Sequence, residues 1–123
     1  MGLKEKQLLA SRDWSSAQKR IKEAIGQEMK FEAAAETFND EDSILYLESA
    51  GSNRIANAIA YICRDDIGKD AFKDKKVSKI IFRNEAGSKG KLDIKDGILT
   101  VAMDFSKDRM GEDDMKTALE NLL

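Results

Sequence analysis

Histidine and proline are missing from this chain, and cysteine occurs once. Without imidazole there is no Ser-His-Asp or Cys-His nucleophile activation, no imidazole general base and no His-ligated metal. The single thiol, Cys63, allows neither an intramolecular disulfide nor a cysteine-based zinc site. The lack of proline excludes cis-prolyl turns and PxxP ligands. No run of about 18 apolar residues is present to span a bilayer, and the first residues lack the apolar segment of a signal peptide. Lys6 stands where a myristoylation signal starting at Gly2 needs serine or threonine. No membrane attachment is therefore expected, and the cytoplasm is the expected compartment.

What is present fits one globular domain spanning residues 1–123. The chain is 41% hydrophobic and 36% charged, enough for a real core under a densely charged surface. Its 21 basic and 23 acidic side chains nearly cancel, so net charge points to no polyanion partner. There is no internal repeat, linker or low-complexity segment.

The most apolar stretch lies near residues 53–67. Ile55, Ala58, Ile59, Ile62 and Cys63 recur at helical spacing, and Ala56 and Ala60 widen the stripe. This predicts a buried helix, capped by Ser52 or Asn53, on which a sheet is laid. Before it, residues 1–10 read as a loosely ordered lead-in that Leu8 and Leu9 anchor. A second amphipathic helix opens at Asp13, with Trp14, Ala17, Ile21, Ala24 and Ile25 on one face, and stops at Gly26. Met29, Phe31, Ala33 and Ala35 alternate with Lys30, Glu32 and Glu36, which predicts a strand over 29–38, although Phe31, Ala34, Ala35 and Phe38 also sit at helical spacing. A turn over 39–42 and a short helix ending at Ala50-Gly51 follow. One or two helical turns over 66–73 tuck Ala71 and Phe72 inward.

Beyond Val77 the pattern turns to strands. Ile80-Ile81-Phe82 suggests a strand over 77–83 covered on both faces. Asp96-Gly97 joins strands 91–95 and 98–105 in a hairpin, and a two-residue loop pairs Lys95 with Ile98, Ile94 with Leu99 and Leu92 with Val101. The apolar side chains then meet on one face, while Asp93 and Thr100 meet on the other. A last helix begins near Glu112 and buries Met115, Ala118, Leu119 and Leu122. The expected fold is α+β: an antiparallel sheet of three to four strands with helices packed on one face.

Chemistry-bearing groups are few. Asp65, Asp66 and Asp70 sit where one helix ends and another starts, and carboxylates there either cap a helix or ligate a hard cation such as Mg²⁺. Capping is the commoner role. Lys69, Lys73, Lys75, Lys76 and Lys79 form a basic strip, but Asp70 and Asp74 interrupt it and no aromatic is interleaved for base stacking. The loop Gly87-Ser88-Lys89-Gly90 joins two strands, whereas a phosphate loop precedes a helix, so that reading is rejected. Cys63 falls on the buried stripe and reads as a small hydrophobe. No catalytic residue, cofactor or metal is assigned.

The function expected from these residues is a non-catalytic protein-interaction module, acting on a partner protein or a second copy through Tyr46, Phe105, Met110, Leu122 and Leu123. The alternative is a carboxylate-based enzyme or ligand-binding protein using Asp65, Asp66 and Asp70. Nucleic-acid binding through the Lys69–Lys79 strip is the weaker alternative. The hairpin supplies a first test: Gly97→Val forces a β-branched residue into positive φ and is expected to lower the melting temperature. An unchanged melt would mean that the turn is misread.

Overall fold

The computed structural model describes residues 2–107 and 109–123. The lead-in is helical: α1 spans Leu3–Ala10, buries no residue fully, and leans Leu8 and Leu9 on the core. Helix α2 spans Ser15–Ile25 and buries Ala17, Ile21 and Ile25. Its entry is fixed by Asp13, whose carboxylate accepts the Ser15 amide at 2.9 Å. Its exit is Gly26, in the left-handed conformation at φ 72°.

Strand β1 covers Lys30–Ala33 only, shorter than the expected 29–38. The alanine run then leaves the sheet in a 3-10 turn over Ala35–Thr37. Helix α3 (Glu41–Leu45) starts on Asp40, which accepts the Ser43 amide at 2.7 Å.

The chain does not stop at Ala50-Gly51. It winds through a π-helical segment, Leu47–Ser52, straight into helix α4 (Asn53–Ile62). Ser52 therefore has helical torsions and caps nothing; its hydroxyl donates back to the Glu48 carbonyl at 3.4 Å. The reading of Ser52 or Asn53 as a cap fails because the helix begins earlier, across a wide turn of a kind found inside continuous helices. Gly51 lets the chain approach closely there: a Cβ on it would lie 3.1 Å from Phe105 and 3.3 Å from Phe82, a tight fit for which the rings must give.

The expected helix near 53–67 ends earlier, at Ile62, and the separate helical segment expected over 66–73 follows it. Asp65 captures the Gly68 amide at 2.8 Å and starts α5 (Asp66–Asp74), which buries Phe72. Gly68 presses on the Ile62 carbonyl so closely that any side chain there would collide with it.

Strands β2 (Lys79–Asn84), β3 (Lys91–Lys95) and β4 (Ile98–Met103) complete a four-stranded sheet in the order β1-β2-β4-β3. The α+β class holds, but the sheet is mixed. Strands β1, β2 and β4 run parallel, and only the β3–β4 hairpin is antiparallel. The reason is topological: the helices between β1 and β2 supply the long crossover that parallel pairing needs, and β3 swings outside β4. The hairpin pairs as its turn dictates, with Lys95 opposite Ile98 and positive φ at Asp96 (53°) and Gly97 (78°). Strand β4 ends at Met103, short of the expected 105.

Registers align two sets of side chains across the sheet. Phe31, Ile80, Leu99 and Ile94 form one row of the core face, and Ala33, Phe82, Val101 and Leu92 the next. These side chains share one hydrophobic cluster with α2, α4 and α6 (Glu112–Leu122), so the helices lie on one face. Trp14, Phe31 and Phe82 stack with ring centroids 5.7–6.0 Å apart, and Phe82 meets Phe105 edge-on at 6.2 Å. Each such pair adds about 0.5–1.5 kcal/mol beyond burial alone. Among the described residues no helix is long and apolar enough to cross a membrane.

The fold turns on that close approach at Gly51. Gly51→Val is expected to cost about 1–3 kcal/mol by overpacking two fully buried rings. Gly51→Ala should cost less, because the helix-propensity gain of about 1 kcal/mol offsets part of the clash. Urea unfolding of both variants measures this; a Val variant as stable as the wild type would contradict the packing.

Candidate interaction surface

The other face of the sheet carries the alternate side chains. The parallel register aligns Lys30, Lys79, Ile98 and Lys95 in one row, and Glu32, Ile81, Thr100 and Asp93 in the next. Arg83, Ala102 and Lys91 form the third. Ile81 and Ile98 are half-buried and belong to no part of the core cluster. The consecutive run Ile80-Ile81-Phe82 is thus not a strand with two covered faces: Ile80 and Phe82 enter the core, while Ile81 faces outward.

This outer face has a half-buried apolar centre (Ile81 and Ile98, with Thr100) and a charged perimeter; Ala102, in the third row, is itself buried. Lys79 pairs with Glu32 at 3.8 Å, Arg83 with Glu36 at 3.5 Å and Lys91 with Glu85 at 3.5 Å. Lys30, Lys95 and Asp93 make no ion pair among the described residues, so the two lysines outweigh the one acid and leave the unpaired perimeter slightly basic, although the chain as a whole is acidic with net charge −2. Single strands show the alternation of these residues. Their assembly into rows needs the β1–β2–β4 register, which joins residues about fifty positions apart across β1–β2 and about twenty across β2–β4 and leaves no local sequence signal.

The residues expected to form the interaction surface do not come together. Phe105 is fully buried and Met110 nearly so, because the chain folds back under the sheet after Met103 instead of extending the strand. Leu122 and Leu123 are half-buried, and Leu123 packs on the core. Only Tyr46 is exposed, with the Arg109 guanidinium 3.9 Å over its ring.

Asp104 makes the fold-back. Its carboxylate accepts the Gly87 amide at 2.9 Å and the Ser106 hydroxyl at 2.7 Å, and these bonds hold it below the usual carboxylate range. It links the two loops at one end of the sheet, a structural task.

The acidic group resolves into caps and surface. Asp65 starts α5, Asp66 and Asp70 lie exposed on that helix, and among the described residues no three carboxylate or thiol groups converge to hold a metal. The lysine strip is dispersed over a helix (Lys69, Lys73), a turn (Lys75, Lys76) and a strand (Lys79). Compared with protein-family models, curated proteins and solved structures, the chain gives no significant match.

Cys63 is only 4% exposed, and burial pushes its thiol up from its ordinary pKa. Burial and a scarce thiolate both slow alkylation and disulfide exchange. Labelling by a thiol reagent near neutral pH should therefore be slow in the native protein and fast in denaturant; rapid native labelling would contradict this packing.

Proposed function

We propose that the protein is a non-catalytic protein-interaction module that seats a partner on the bare face of its sheet. The observation that carries this reading is the layout of that face: half-buried Ile81 and Ile98 at the centre and lysines, an arginine and acids around them. Protein interfaces share this anatomy, with a desolvated apolar patch inside a polar rim. The unpaired Lys30 and Lys95 favour a partner whose matching rim is acidic, which raises the encounter rate and fixes orientation more than it adds affinity. A cytoplasmic location accords with this reading and rests on the sequence alone.

Two features weigh against the competing readings. Among the described residues no three carboxylate or thiol groups gather to hold a metal, so the carboxylate alternative gains no support from a metal cluster. The basic perimeter would also attract nucleic acid, but no aromatic side chain stands on this face to stack on bases.

Ile98→Glu is the decisive variant. The register sets it beside Lys79 and Lys95, so the new carboxylate gains neighbours of opposite charge while the apolar centre is lost. Affinity capture from the native host, followed by calorimetry with the recovered protein, should show at least a ten-fold loss, about 1.4 kcal/mol. An unchanged affinity would overturn the proposal. So would recovery of nucleic acid, with binding that falls steeply as salt rises.

A further inference from the structure

A second surface lies at the opposite kind of boundary, the edge of the sheet rather than its face. Helix α1 runs beside β1 and leaves a groove between them. Leu9, Trp14, Phe31 and Ala33 line a hollow of about 370 Å³, and a second of about 490 Å³ continues past Lys6 and Ala35 to Asn39. Volumes of this order accept small apolar groups, and most of this lining is apolar.

The backbone along one wall is unpaired. Lys30 donates its amide to the Ser78 carbonyl at 3.2 Å, and Ala34 to the Phe82 carbonyl at 2.8 Å. In a parallel ladder the residues between such donors turn their N–H and C=O groups the other way. Phe31 and Ala33 therefore present two donors and two acceptors to the groove, bonded to nothing among the described residues. An open edge of this kind is a template for one more strand unless proline, a bulge or a covering element blocks it. Here none does; α1 stands off as the far wall.

Charge narrows the occupant. Arg12 is held by Glu48 at 3.3 Å, Glu32 by Lys79 at 3.8 Å and Glu36 by Arg83 at 3.5 Å. Lys6 is the one charged residue lining the groove with no ion pair among the described residues. An acidic group on the ligand would complement it. A second copy fits less well, since it would bring another unpaired Lys6 to the groove rather than an acid.

We infer that the groove between α1 and β1 binds an extended peptide segment of another protein, added to β1 as a fifth strand with an apolar side chain over Trp14 and an acidic one facing Lys6. Backbone bonds to Phe31 and Ala33 supply affinity, and the Trp14 hollow supplies selectivity, as in other helix-and-edge-strand peptide grooves. This surface is independent of the sheet face, so either can fail without the other.

The probe is a panel of acetylated heptapeptides of alternating threonine and valine. The central position is leucine, phenylalanine or alanine, and a glutamate or lysine follows two residues later. Leucine or phenylalanine peptides with glutamate should shift the Phe31 and Ala33 amide resonances and change Trp14 fluorescence. Alanine anchors, and N-methylation of the central amides, should each weaken binding at least ten-fold. Ala33→Pro removes an outward N–H without touching the β1–β2 bonds and should weaken binding similarly, with native circular dichroism as the folding control. Lys6→Glu, on an exposed side chain, should reverse the preference from glutamate to lysine peptides. No binding at millimolar peptide, equal binding of N-methylated peptides, or a concentration-dependent doubling of mass that the peptides compete away would each overturn the proposal.

Discussion

The structure depends on one contact, the seating of the Gly51 backbone against the rings of Phe82 and Phe105. A side chain at that point would press on both rings, and the larger it is the more the rings or the π-helical segment must give. With none, the segment lies on the aromatic centre and α4 leaves it already aligned for burial: Ile55, Ala58 and Ile59 are fully covered. Helices α2 and α6 pack on the flanks of α4, and Trp14 and Phe31 extend the aromatic stack to β1. Burial of this continuous surface is the dominant favourable term in holding such a domain together.

One-sided packing has a consequence for function. Packing the helices on one face concentrates the core there, so the reverse of the sheet keeps Ile81 and Ile98 outside it. The parallel order also leaves β1 at an edge, facing across a groove a helix that does not pair with it. Both candidate surfaces are by-products of the same arrangement. One is a face and the other an edge, and they suit partners of different shape.

Local chemistry was legible in the sequence where it acts alone. Asp96-Gly97 fixes a two-residue turn and hence the hairpin register; Gly26 ends α2 because it takes positive φ without strain. Asp65 as a cap follows from its side-chain oxygen and the free amide of Gly68. What stayed hidden is non-local. Parallel pairing of β1 with β2 joins residues separated by all of α3, α4 and α5, and alternation within a four-residue strand carries no information about its neighbour. Ser52 resembles a cap in type, yet a π-helical turn carries the helix through it. Phe105 and Met110 look like a surface patch after a strand, and only the Asp104 bonds to a distant loop reveal that the chain turns inward.

Residue-resolved hydrogen exchange tests this account at its centre, which is a one-sided sheet in parallel register with β1 open at its edge. Ile80, Leu99 and Ile59 amides should exchange only through global unfolding. Within β1, the Glu32 amide, directed at β2, should be protected, while its neighbours Phe31 and Ala33 exchange quickly. Equal protection of all three, or protection at Phe31 and Ala33 with exposure at Glu32, would contradict the register and close the edge on which the second surface rests.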